Sequence, residues 1–137
     1  MKEAFLLILI FTFCQSLRSQ ESILVFEKAP EFPGGDKKLF ESIQDSMIYP
    51  YDAFVKKIGG RVYVSFWVDT TGIPRDIQVI KGIRDDLDLE AKRIASVLPK
   101  WIPGEQNHKK ITIRTAIPIV FDPKKKVKVG PEIKQNY

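Results

Sequence analysis

The chain has 137 residues, a formal net charge of +5 and one cysteine. That length accommodates one domain and a targeting segment and excludes two full domains, while a lone cysteine excludes an internal disulfide. The positive balance speaks to solubility or to acidic partners and anionic surfaces, not to fold.

In chain order, Lys2 supplies a positive start, and Ala4–Phe13 is apolar apart from Thr12 before polar residues begin at Gln15. The run is far shorter than the ~20 apolar residues of a membrane-spanning helix. Residues 1–20 therefore read as a secretory signal peptide cut near Ser19 or Gln20, with membrane contact of the mature chain at most peripheral. Cys14 follows Phe13, where lipoprotein processing takes a small residue, so lipid anchoring through Cys14 is not expected. The exported remainder then has no thiol nucleophile and no thiolate metal site. Export also removes nucleic acid as the reason for the positive charge.

Residues 21–33 read as an extended arm: Ile23–Phe26 favour a short strand, and Pro30 and Pro33 resist helix. Gly34-Gly35 marks a turn, Asp36 stands where an N-cap would, and Leu39, Phe40, Ile43 and Met47 are spaced to share one helical face. Tyr49-Pro50 breaks that helix and opens a second, carried by Ala53, Phe54 and Lys57 and ended by Gly59-Gly60. Arg61–Asp69 alternates as a half-buried strand, with Val62, Val64, Phe66 and Val68 on one face and Arg61, Tyr63, Ser65 and Trp67 on the other. Asp69–Gly72 turns the chain, and Arg75–Lys81 returns antiparallel with Ile77 and Val79 inward.

Asp85 is placed to cap another helix with Asp88 in its first turn, and Leu87, Ala91, Ile94, Ala95 and Leu98 form its apolar stripe. Pro99 and Pro103-Gly104 end it. Glu105–Lys109 reads as a polar loop before a long strand, Lys110–Phe121, whose inward residues are Ile111, Ile113, Thr115, Ile117, Ile119 and Phe121. Pro118 cannot donate to a ladder, which puts this strand at an edge there or makes it bulge. Residues 123–137, with the lysines of Lys124–Lys128, read as a mobile basic tail. The class is α+β in the order ααββαβ: a domain at 34–122, with a three-stranded antiparallel sheet covered by helices on one face.

Catalytic chemistry is poorly supplied. Asp85, Asp86 and Asp88 are explained by helix capping, His108 sits in a polar loop, and Ser42, Ser46, Ser65 and Ser96 lack a nucleophile-elbow context. Gly34-Gly35 lacks the pattern of a phosphate loop. No enzyme, cofactor or metal site is expected. Trp101, between prolines, reads as a packing anchor.

Several motifs in order carry a resemblance. Tyr49-Pro50-Tyr51-Asp52-Ala53 and Gly60-Arg61-Val62-Tyr63-Val64-Ser65-Phe66 resemble the tyrosine-proline motif, helix and first strand of TonB C-terminal domains. Asp69 and Gly72 match the hairpin, Leu87-Asp88 and Ala91 the second helix start, and Pro99-Lys100-Trp101-Ile102-Pro103-Gly104 the tryptophan-proline segment. Pro30-Glu31-Phe32-Pro33-Gly34-Gly35 is similar to the lead-in of a Bacteroidetes-type subgroup.

The resemblance implies a periplasmic module that binds peptides of TonB-dependent outer-membrane transporters by strand addition. The expected site is the edge formed by Lys110, Ile111, Thr112, Ile113, Arg114, Thr115, Ala116 and Ile117, running on to Ile119, with Tyr49 and Pro50 beside it. A proline at Ile113 is expected to abolish binding there. Full transducers carry a membrane anchor and a proline-rich spacer. The apolar segment here is too short for the anchor and the stretch from Gln20 to Pro30 too short for the spacer, so energy transduction by this chain alone is not expected. The alternative is an assembly protein that dimerises through the sheet edge or through the face bearing Arg61, Tyr63 and Trp67.

Overall fold

The structure is a computed structural model that describes residues 27–133. The expected signal peptide and the short strand at Ile23–Phe26 lie outside the described residues. Within them the chain forms α1 (Gly35–Ser46), β1 (Ile48–Tyr49), α2 (Tyr51–Val55), β2 (Gly60–Val68), β3 (Pro74–Lys81), α3 (Asp85–Val97), β4 (Gly104–Gln106), β5 (Lys109–Ile111), β6 (Ile113–Phe121) and β7 (Lys128–Val129).

The core follows from the alternation in β2. Val62, Val64, Phe66 and Val68 are all fully buried, as are Leu87, Ala91, Ile94 and Ala95 on α3. Each large side chain taken from water in this way contributes about 1.5–3 kcal/mol. The main sheet has the order β3-β2-β6, antiparallel throughout. Helix α3 packs across β2 and β3, and α1 packs on α3. The expected three-stranded α+β fold with one helix-covered face is therefore present.

An ion pair locks the helices together. Glu90, buried on α3, accepts from the Ile48 backbone N–H at 2.7 Å and from Arg93 Nε at 2.8 Å. Arg93 also donates to the Ser46 carbonyl. The end of α1 and the start of β1 are thus both held by α3, with the carboxylate and guanidinium satisfying backbone groups that a helix end leaves open.

Several local expectations are corrected. Gly34, not Asp36, occupies the N-cap of α1, with φ 89°. The reason is the preceding turn, closed by the Gly35 N–H on the Phe32 carbonyl at 2.9 Å, which demands a left-handed residue there. Phe40 is 48% exposed and does not join Leu39, Ile43 and Met47 in the core. Helix α2 ends at Val55, earlier than Gly59, because Lys57 itself turns left-handed at φ 53°. Arg84, not Asp85, is the N-cap of α3, and Asp88 accepts from the Ile83 N–H at 2.9 Å.

The larger corrections concern the C-terminal half. The expected loop at Glu105–Lys109 is a hairpin, β4 against β5. Its turn, Asn107-His108, has φ of 51° and 60°, the pair of left-handed residues that a two-residue hairpin turn needs. The expected long strand is consequently divided at Thr112, with β5 turned toward β4 and only β6 in the main sheet. Past Pro123 the chain is also more ordered than a mobile tail. Strand β7 pairs in parallel with β1, the Gly130 N–H donates to the Tyr49 carbonyl at 2.9 Å, and Val127 packs on the core.

Candidate functional site

Strand β6 pairs with β2 in unbroken register, from Gly60 opposite Phe121 to Val68 opposite Ile113. On its other side it has no partner strand among the described residues. Its inner residues Ile113, Ile117, Ile119 and Phe121 are buried, which fixes register because a one-residue slip would expose all of them.

Pro118, opposite Tyr63, decides which backbone groups are free. A proline fits such a strand without loss only where its nitrogen points away from the neighbouring strand. The alternation of an antiparallel ladder then turns the N–H and C=O groups of Arg114, Ala116 and Val120 outward as well. It turns those of Ile113 toward β2. A proline at Ile113 would therefore break the sheet's own ladder and core, and the informative position for closing the edge is Ala116.

A groove of about 500 Å³ runs along this edge. Thr115, Ala116 and Ile117 all border it. Successive side chains on a strand point to opposite faces, so three in a row can border one groove only from the strand's open side. The facing wall is the arm, at Pro30–Phe32, with the start of α1 at Gly34–Asp36. Sequence reasoning missed this wall; the one available signal was Phe32, a lone aromatic among prolines and glycines.

The wall is held in place by Trp101. Its ring meets Phe32 and Phe66 edge-on, both with centroids 5.3 Å apart. Its backbone N–H donates to the Gly72 carbonyl at 2.9 Å, and the neighbouring Ile102 exchanges backbone hydrogen bonds with Glu31 of the arm. A Cβ on Gly72 would lie 2.0 Å from the Trp101 carbonyl oxygen, so the β2–β3 turn and the tryptophan segment meet only through a glycine. The packing role expected of Trp101 is present.

Of the expected site residues, Ile113, Arg114, Thr115, Ala116 and Ile117 lie on the open strand, whereas Lys110 and Ile111 belong to the β4–β5 hairpin and exposed Thr112 to the bend between them. Tyr49 is 0% exposed, so its side chain offers a peptide no surface. It is structural instead: the hydroxyl donates to the Ile58 carbonyl at 2.6 Å, and the ring meets Phe54 and Phe121 edge-on. Burial, and then the charges of Asp122 and Asp86, push its pKa up. Pro50 is half-buried and begins α2.

On the open face, Arg61 is exposed, Tyr63 half-buried and Trp67 39% exposed. Trp67 stands opposite Arg75 on one side and Arg114 on the other. Asp85, Asp86 and Asp88 converge on no common ligand: Asp86 pairs with Arg84 at 2.7 Å, and Asp88 serves the backbone. The His108 side chain is 94% exposed. Among the described residues there is no group of side chains placed to hold a metal ion, and no helix long and apolar enough to cross a membrane.

The family model for the Gram-negative bacterial TonB protein C-terminal region matches residues 45–123. The chain belongs to the TonB C-terminal family. It is similar to the NMR solution structure of the Helicobacter pylori TonB C-terminal domain, with 29% identity and a TM-score of 0.50, over 66% of this chain and 95% of that one. A longer form of the same H. pylori domain matches at 28% identity and a TM-score of 0.47, over 69% of this chain and 89% of that one. No curated protein sequence matches. TonB C-terminal domains are transport-associated and non-enzymatic, and membership implies a role in TonB-dependent transport.

Proposed function

We propose that this TonB C-terminal domain acts in the periplasm by capturing an extended peptide of a TonB-dependent outer-membrane transporter as an added strand along β6. The observation that carries this reading is the regular edge of β6, without a partner strand among the described residues and opening onto a groove. Backbone hydrogen bonds from Arg114, Ala116 and Val120 supply affinity without regard to sequence, and the groove supplies selectivity. One added strand buries little surface, so binding is weak and reversible, as a contact that must be made and released requires.

The test is a titration of the protein with transporter TonB-box peptides, followed by amide NMR, beside the variant Ala116→Pro. Shifts along Ile113–Ile119 in the parent and none in a folded Ala116→Pro protein are expected. Absence of shifts in the parent at millimolar peptide would sink the proposal.

A second reading, self-assembly, rests on the exposure of Trp67 between two arginines on the open face. It requires a concentration-dependent increase in mass that Trp67→Ala removes and Ala116→Pro leaves in place.

A further inference from the structure

We propose that the groove beside β6 selects peptides with a basic side chain, lysine or arginine, at the position that meets Ile117, whose side chain shares the face of the groove's floor. This rests on strand addition at β6 and goes beyond it by naming the chemistry the groove reads.

The groove is apolar below and acidic at its rim. Phe32, Leu39, Trp101 and Ile117 border it and are buried, and their side chains are hydrocarbon except for the Trp101 indole N–H, a neutral donor with no partner among the described residues. Glu31 and Asp36 border it from the facing wall, both exposed, and neither carboxylate is in an ion pair or a side-chain hydrogen bond among the described residues. An aliphatic stem over an apolar floor with a charged head at a wet rim is how lysine and arginine side chains lie on protein surfaces. No lysine or arginine borders the groove.

A competing attraction exists. The first turn of α1 enters the same wall at Gly34–Asp36, and its N-cap has no side-chain cap, so free backbone N–H groups there favour an anion. Their effect equals roughly half a positive charge, against two full carboxylates. The balance at the rim is negative, and a cation is preferred.

The experiment uses the whole protein and a capped host peptide, Thr-Val-Thr-Xaa-Thr-Val-Thr, with Xaa as Arg, Lys, Leu or Glu. Binding is read from β6 amide shifts at low and high salt. Arg and Lys guests are expected to bind between about 2-fold and roughly 30-fold more tightly than Glu, the range for two solvent-exposed ion pairs. The gap should narrow with salt and collapse in the double variant Glu31→Gln, Asp36→Asn, whose β6 shifts with the Leu guest remain. Equal binding of all guests, or a preference for Glu, overturns this inference and leaves strand addition standing. Failure of every guest to shift β6 overturns strand addition, and this inference falls with it.

Discussion

The two edges of the main sheet are built in opposite ways. Strand β3 slips register against β2 twice, between Tyr63 and Val64 and between Ser65 and Trp67. Asp76, left-handed at φ 51°, sits in the second irregularity, and exposed Arg75, Asp76 and Lys81 charge the strand. Bulges and charges are the usual means of keeping a sheet edge from pairing with another chain. Strand β6 has none of the bulges: its register runs unbroken across the whole strand, and only Pro118 interrupts its outward donors. An open edge is an aggregation hazard, and the contrast between a blunted β3 and a regular β6, which has no partner strand among the described residues, is what the proposed strand addition at β6 would require.

The largest effect expected from attacking this contrast lies beneath β6. Ile119 is fully buried, and Ile119→Ala should cost about 2–5 kcal/mol in chemical denaturation. Ile80 on β3 is 56% exposed, and Ile80→Ala should stay within about 0.5 kcal/mol. Comparable losses would mean that the open edge is not the better supported of the two.

Next in size is Tyr49→Phe, which removes the hydroxyl bond to the segment that leads into β2 and keeps the ring packed on Phe121 of β6. The Ile58 carbonyl loses its phenol donor, at a cost of about 1–3 kcal/mol. The substitution also has an alkaline signature. The Tyr49 pKa is raised in the folded protein, so its contribution is complete below the unfolded value of about 10 and is lost as pH rises through the folded value. Urea unfolding against pH should show this decline in the parent and a flatter alkaline limb in Tyr49→Phe.

What could be read from the sequence divides along the same lines. The inward alternation of β2, the stripe from Leu87 to Leu98 and the edge position of the Pro118 strand all follow from strong local periodicity or from proline chemistry, and all are present. The failures are at places where distant residues decide. Asn107-His108 carries no glycine, so its turn read as a loop until β4 and β5 paired around it. The lysines of 124–128 suggested a solvated tail, yet β7 docks because β1 offers it backbone partners some eighty positions earlier in the chain. Tyr49 was placed at the binding surface because it belongs to a recognisable motif, although a motif records that a residue matters without saying whether it packs or binds. The facing wall of the groove could not be foreseen, since it depends on Phe32 and Trp101 meeting across the fold.

A smaller and more pointed change is Pro118→Ala. It would restore the one outward N–H missing from β6 and give an added peptide another hydrogen bond, worth about 0.5–1.5 kcal/mol, or roughly 2- to 12-fold in affinity. Titration of the same transporter peptide should show the gain. No gain in a folded variant would mean that the Pro118 nitrogen does not face the site, and the assignment of outward groups to Arg114, Ala116 and Val120 would fall with it.

The smallest effect at neutral pH is expected at the turn that leads into the blunted edge. Asp69 accepts hydrogen bonds from the Thr71 and Ile73 backbone N–H groups at 2.9 and 3.0 Å, from the Thr71 hydroxyl, and from Arg75 Nε at 2.8 Å. The Thr71 side chain first, and then Arg75, hold its carboxyl well below the usual carboxylate range. A depressed folded pKa means a contribution that is full above the unfolded value of about 3.9 and is lost only as pH falls through the folded one. The parent should therefore lose stability on strong acidification, and Asp69→Asn should flatten that limb while changing the neutral-pH midpoint little, because an amide oxygen can still accept from the turn. Peptide binding at β6 should be untouched at neutral pH, since the turn serves the other edge. If Asp69→Asn weakens binding as well, the two edges are coupled through Gly72 and Trp101, whose backbones hydrogen-bond directly, and β3 would have to be counted as part of the site.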